Sequence, residues 1–231
     1  MATEKQREHF EKVHNRYQDH YYDSYSNFYR SNVIINKIKP FFCDIGSYLE
    51  IGCGGGSNYQ SFVREGLIKG NYYALDISQK SVDNFNYLVK GNANSKAYTC
   101  DFTKKDLDLG ESFDLIIFMG VLHHMTNNLD DVMKNVENHL NLRGSVIFFE
   151  PNANFLNSIR RIWYKLSDDF DDTNERALTA NEIDFYAKNN DLKLFKSTYF
   201  GNIGFFIILQ SMILHTPKWF KRLTYIPLTF F

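Results

Sequence analysis

Apolar residues along this chain come in short runs separated by longer amphipathic stretches, and that alternation sets the predicted elements. The run at 47–52 (SYLEIG) predicts a first strand, followed by a helix from Ser57, whose hydroxyl suits an N-cap. Residues 71–77 (NYYALDI) predict a second strand, and Ser78 suits the cap of the helix behind it. A third strand is expected at 96–102 (KAYTCDF). Residues 113–120 (FDLIIFMG) are apolar almost throughout, the pattern of a central parallel strand covered on both faces. A helix at 129–140 and a fifth strand at 145–150 (SVIFFE), stopped by Pro151, complete the alternation. Ahead of it, 4–40 reads as helical with irregularly spaced aromatics, closed by Pro40. After it come a polar, irregular insert at 152–177, a capped helix at 179–190 and a strand at 192–200.

Strands alternating with helices at this pace imply βαβ units and a doubly wound, mostly parallel sheet with helices on both faces. Ligands of such sheets bind beyond the C-terminal strand ends, where Glu50, Asp76, Asp101, Gly120 and Glu150 all fall. The 231 residues suit one α/β domain with insertions. Its parts are an N-terminal helical lid at 1–44, a core of alternating strands and helices at 45–151, an insert at 152–177, and a C-terminal part of the same domain at 178–231. Tyr17, Tyr21, Tyr22, Tyr25 and Tyr29 suit either a lid over a bound ligand or a helical layer packed on the sheet edge. The acidic run at 167–172 reads as a solvated loop.

Composition narrows the function classes. A net charge of −1 gives no electrostatic ground for nucleic-acid binding. Cys43, Cys53 and Cys100 are scattered without a C-x-x-C, which points away from a disulfide framework or zinc site and toward reduced thiols in the cytoplasm. The polar, mixed-charge opening does not read as a signal peptide. The richest apolar run, 203–214, is broken by Gln210 and Ser211 and falls short of the roughly 18 residues that span a bilayer. The expectation is a soluble protein. Peripheral membrane or lipid-linked contact is a further reading of its C-terminus, where no acid follows Asp191 and 217–222 (PKWFKR) is basic and aromatic.

The candidate chemistry centres on Gly52, Gly54 and Gly56, directly after the first strand. The spacing is G-x-G-x-G, and Ser57 breaks the dinucleotide pattern G-x-G-x-x-G. Glu50 would repel a pyrophosphate and attract a cofactor carrying an ammonium and a sulfonium, which points to S-adenosylmethionine. Asp76 is placed to accept both hydrogen bonds of a ribose diol. Asp101 suits an adenine amine, with Phe102 packing on the ring. His123 and His124, after the fourth strand, are candidate general bases; the alternatives are capping the loop or packing beside the cofactor. No metal-ligand spacing accompanies them.

The order ExGxGxG (Glu50 to Gly56), Leu75-Asp76, Cys100-Asp101-Phe102, FDLIIFMGVLHHM and GSVIFFEPN resembles the class I S-adenosylmethionine-dependent methyltransferases, closest to the small-molecule group with a V-L-H-H segment. The resemblance implies a Rossmann-like, seven-stranded sheet with the last strand antiparallel. It implies that Glu50 and the backbone of Gly52, Gly54 and Gly56 hold the methionine moiety, Asp76 the ribose, and Asp101 with Phe102 the adenine. Cys53, Asn58 and Ile77 fall in the same loops as further cofactor contacts, and the backbone of Met119, Gly120 and Val121 lines the sulfonium side. The seventh strand would be 205–210, unless that run belongs to an apolar helical cap. The acceptor implied is a small molecule, O- or N-methylated, and sugar-linked, polyketide or lipid-like; its pocket would be walled by Phe155, Trp163, Tyr164 and Phe170. Two other readings are a catalytically inactive cofactor-binding regulator and a nicotinamide-dependent oxidoreductase; the intact motif set counts against the first, and Glu50 with the broken glycine spacing against the second.

Overall fold

The computed structural model describes residues 4, 7, 8, 23–154, 176–201, 203–209, 211, 214 and 216–230. The acidic run at 167–172, the insert aromatics Phe155, Trp163, Tyr164 and Phe170, and Tyr17, Tyr21 and Tyr22 lie outside the described residues.

Helix α1 (Ser24–Tyr29) is capped by Asp23, whose Oδ1 accepts from Tyr25 N and Ser26 N, both at 2.9 Å. The chain stays helical through a π-helical stretch, Arg30–Ile35, and ends in a 3₁₀ turn, Lys39–Phe42. The helical path thus runs past Pro40, because that residue sits in the first turn of the 3₁₀ segment, where a missing N–H costs nothing. Strands and helices then alternate as β1 (Ser47–Ile51), α2 (Ser57–Arg64), β2 (Asn71–Asp76), α3 (Gln79–Leu88), β3 (Ser95–Thr99), β4 (Phe113–Met119), α4 (Leu129–His139) and β5 (Leu140–Phe149). Ser78 caps α3 through Ser81 N, as its position suggests, whereas the N-cap of α2 is Gly56 in a left-handed conformation and Ser57 is its first helical residue.

The strands form one five-stranded sheet in the order β3-β2-β1-β4-β5, every pair parallel. Side chains of alternating position leave each strand on opposite faces. Leu115 and Ile117 of β4 join Tyr48, Tyr72 and Ala74 under Phe62 of α2 and Phe85 of α3. Ile116 and Phe118 join Leu49, Ile51 and Leu75 on the other face, under Val132, Met133 and Val136 of α4. With β1 flanked by β2 on one side and β4 on the other, the strand order reverses at β1, the usual ligand position in such sheets.

The expected seven strands are five among the described residues. Residues 192–200 have no ladder partner among the described residues, and Leu194, Phe195 and Tyr199 are exposed, so the strand their alternation predicts is not formed there. The run at Phe205–Leu209 is a π-helical turn, the cap alternative; a short unbroken apolar run carries no period to tell strand from helix. Helix α5 (Ala180–Lys188) begins with a capping box between Thr179 and Glu182, and α6 (Lys218–Phe230) closes the chain. Tyr29, Ile34, Ile208 and Leu209 form a separate small core that includes Met119 and Phe149, the last residues of β4 and β5. Tyr25 and Tyr29 belong to this packed layer, Tyr25 lying 5.0 Å from Tyr225.

Candidate functional site

The turn after β1 is folded back onto the end of β2. Gly52 N and Cys53 N both donate to Leu75 O, at 2.8 and 3.1 Å, and Gly54 N donates to Asp76 Oδ2 at 2.8 Å. Gly52 has φ +71°, and a Cβ there would meet Val121 Cγ2 at 2.4 Å, so the β4 loop sits directly on this glycine. Gly54 also has a positive φ, +52°, yet a Cβ there would meet nothing within 4 Å. Its backbone faces open space, which is the room a close-lying ligand needs.

Glu50 is fully buried at the end of β1. Its carboxylate accepts from Asn58 Nδ2 at 2.8 Å and from Tyr72 OH at 2.7 Å. Burial outweighs both bonds and pushes its pKa up to about 7. Asp76 is also raised by burial, against the backbone N–H groups of Ser78 and Gly54 that it accepts. Each carboxylate oxygen has more than one acceptor position, so Asp76 retains capacity for a diol while it holds the loop. The Cys53 thiol is buried beside both acids and its pKa is driven well upward, first by burial, which makes it a packing group and no nucleophile. A pair of poorly solvated carboxylates beside an open glycine backbone suits a ligand with a cationic end. The residues present therefore fit S-adenosyl-L-methionine.

Asp101 follows β3 and accepts through Oδ1 from Thr103 N at 2.9 Å and Thr103 Oγ1 at 2.6 Å. Phe102 turns the other way. It is 1% exposed, packs edge-on against Phe118 at 5.8 Å, and its carbonyl accepts from Asn135, so its ring is packed into the core. Ile77 is half-buried beside Asp76.

Beyond β4, Gly120 N donates to Phe149 O at 2.7 Å. Glu150 gathers the next three residues: Oε1 accepts from Val121 N and Leu122 N at 3.0 and 2.8 Å, and Oε2 from His123 N at 3.3 Å. The same Oε2 lies 2.7 Å from His123 Nδ1. An ionised carboxylate only accepts, so Nδ1 carries the proton and Nε2 is the basic nitrogen of the neutral ring. The His124 ring lies against that of His123, tilted by 40° with ring centres 3.9 Å apart. The chain returning from the insert crosses here, Arg176 N donating to His123 O at 3.3 Å and Asn152 bridging Leu178.

Sequence reasoning places Glu150 at a strand end but does not pair it with His123, and it misses Tyr72 and Arg30. Tyr72 is legible as the residue beside Glu50 across the strand pair, two places from its direct partner Ala74. Arg30 is 3% exposed, donates to Asn27 Oδ1 at 2.7 Å, and its charge acts on Glu50; a buried arginine among aromatics carries no local sequence signal. Among the described residues no group of three or more His, Cys, Asp or Glu is arranged to hold a metal.

Comparison with known proteins agrees with this geometry. The methyltransferase domain family matches residues 49–146. No curated protein matches the chain. Among solved structures, magnesium protoporphyrin IX methyltransferase from Synechocystis PCC 6803, with S-adenosylhomocysteine bound, superposes with a TM-score of 0.60 at 17% identity, over 87% of this chain and 95% of that one. An S-adenosylmethionine-dependent methyltransferase from Clostridium acetobutylicum ATCC 824 gives 0.57 at 19% identity, over 81% and 89%. The cyclopropane synthase MmaA2 from Mycobacterium tuberculosis gives 0.54 at 14% identity, over 70% and 61%. At such identities these likenesses speak for the fold, and the domain match and the acid-flanked glycine turn speak for the cofactor. Residues 49–146 match the methyltransferase domain family, and the fold is the one that S-adenosylmethionine-dependent methyltransferases share.

Proposed function

We propose that this enzyme methylates a hydroxyl group of a small molecule with an apolar portion, with His123 as the general base. The observation that carries the reading is the Glu150–His123 contact of 2.7 Å, set in a loop whose backbone Glu150 also holds. Such a carboxylate fixes the ring's tautomer and stabilises the imidazolium that forms when Nε2 takes a proton. S-adenosyl-L-methionine supplies an electrophilic sulfonium methyl, so the protein has to align the acceptor oxygen, remove its proton and keep water out. In this reading Glu50 and the Gly54 backbone hold the ammonium end, Asp76 the ribose and Asp101 the adenine edge. The backbone of Met119, Gly120 and Val121 flanks the reacting methyl.

The test is labelled methyl transfer from S-adenosylmethionine into fractionated metabolite and lipid extracts, followed by identification of the product by mass. His123→Gln is expected to keep S-adenosylhomocysteine binding, measured by calorimetry, while turnover falls by about a hundredfold or more, the usual span of a general base. Transfer by the variant at the unaltered rate would remove the base and favour an amine acceptor.

A further inference from the structure

Helix α6 has two apolar faces, and one of them is uncovered. At about 100° per residue, Lys221, Tyr225 and Leu228 share one side. That side is packed: Lys221 is buried, and Tyr225 meets Tyr25 at 5.0 Å and Phe28 at 5.3 Å. Trp219, Leu223, Ile226 and Phe230 fall within about 60° of one another on the opposite side. They are 64, 68, 51 and 67% exposed, although the Phe230 ring also meets Phe28 edge-on at 6.2 Å. Phe220, at 36%, widens the stripe at its N-terminal end, and the exposed Lys218 and Arg222 edge it. The preceding segment continues the character, with Phe195, Tyr199, Ile203 and Leu214 exposed beside the exposed Lys193 and Lys196. No Asp or Glu occurs after Asp191.

We propose that α6 is a docking helix that lies in the headgroup layer of an anionic bilayer, with the Trp219–Leu223–Ile226–Phe230 stripe toward the acyl chains and Lys218 and Arg222 at the lipid phosphates. Aromatic and aliphatic residues on one face with basic residues along its border are what an interfacial helix requires. No helix among the described residues is long and apolar enough to cross a membrane, and α6, with 13 residues, is too short to span one. A second copy of this chain is a poorer occupant: a two-fold contact through the stripe would bring the like-charged Lys218 and Arg222 borders together. The packed face of α6 reaches, through Tyr225 and Leu228, the small core that contains Met119 and Phe149 at the ends of β4 and β5. Docking therefore holds the ligand-bearing end of the sheet to the lipid surface. Resting on the methyl-transfer reading above, this narrows the acceptor to an amphiphile presented at that surface.

The experiment is flotation of the full chain with phosphatidylcholine vesicles, with and without phosphatidylglycerol. Binding is expected only when the anionic lipid is present, and weaker by about tenfold or more for both Leu223→Gln/Ile226→Gln and Lys218→Glu/Arg222→Glu. The chain has 2 tryptophans, so in a Trp163→Phe background Trp219 emission is expected to shift to the blue on binding. Thermal stabilisation by S-adenosylhomocysteine, unchanged in the variants, establishes that they fold. An unaltered chain that stays with the pellet, or variants that float as well as it does, would overturn the proposal. So would a dimer in sedimentation that the Leu223→Gln/Ile226→Gln variant dissociates. Labelled methyl recovered only in water-soluble product would overturn the amphiphile assignment. A chain that floats but is not stabilised by S-adenosylhomocysteine would count against the methyl-transfer reading and leave docking standing.

Discussion

At the scale of single residues the site is governed by where charge is buried. Glu50 stands out because burial, despite Asn58 and Tyr72, brings its pKa to about 7. Between the ordinary carboxylate range and that value the folded protein holds a proton that the unfolded chain has released, so stability without cofactor falls as pH rises across this window. The loss approaches about 3 kcal/mol once Glu50 is fully ionised. Glu50→Gln, with Asn58 turned to offer its carbonyl, is expected to abolish this slope. The variant should match the unaltered protein near pH 5 and exceed it near pH 8, which urea denaturation at both pH values measures. Cofactor affinity runs the opposite way. An ionised Glu50 attracts an ammonium group and a protonated one does not, so affinity is expected to drop as pH falls through about 7. The variant should bind about tenfold more weakly at pH 8 with little pH dependence below it, by calorimetry with S-adenosylhomocysteine. A variant that binds as tightly as the original would place the ammonium elsewhere.

At the scale of elements, the two loops that carry the chemistry meet where Val121 lies on Gly52. Gly52→Ala combines a left-handed backbone at +71° with a Cβ 2.4 Å from Val121 Cγ2. Overpacking of this kind costs about 1–3 kcal/mol, and the backbone conformation about 1 kcal/mol more. Pairing it with Val121→Ala removes the Cγ2 overlap but leaves the Cβ of residue 121 at 2.8 Å from the new methyl, so it should recover part of the packing loss and none of the backbone part, a positive coupling in a denaturation double-mutant cycle; strictly additive losses would show that the loops are not in contact. This contact explains what could and could not be read from the chain. The glycines, Glu50 and Asp76 were legible because strand, turn and helix lie in one continuous stretch, and the strand periods from β1 to β5 were legible for the same local reason. The direction of Phe102 was not, because β3 stops at Thr99 and the next residues leave the strand period. The Glu150–His123 pair joins the ends of different strands, a spatial fact with no periodicity behind it. The C-terminal part differs from the expected strands because 192–200 has no partner among the described residues to supply a ladder, which its own alternation could not reveal.

At the scale of the whole molecule, the flanks on either side of the sheet are fastened to each other by a buried polar clasp. Lys221 Nζ of α6 donates to Asp23 Oδ2 at 2.5 Å and to Ser26 Oγ at 3.0 Å, while Ser26 Oγ donates to Ile208 O at 3.0 Å. The clasp thus ties α1, the 205–209 turn and α6 at one point. The Lys221 side chain is 2% exposed, and burial holds its pKa below the ordinary lysine value even with Asp23 beside it. Desolvation therefore outweighs what the ion pair returns, the balance expected of a buried pair whose merit is positional. The expectation that follows separates the pair from its geometry. Lys221→Met strands the Asp23 carboxylate in a nearly dry site and should cost about 3 kcal/mol or more. Lys221→Met with Asp23→Asn removes the stranded charge, and asparagine caps a helix about as well as aspartate, so the double variant should recover most of the loss. Denaturation curves of the two variants decide it, and hydrogen exchange should show α1 and α6 opening first in Lys221→Met. A single variant as stable as the unaltered chain would mean that the aromatic contacts of Tyr25, Phe28 and Tyr225 alone hold the C-terminal helix in place.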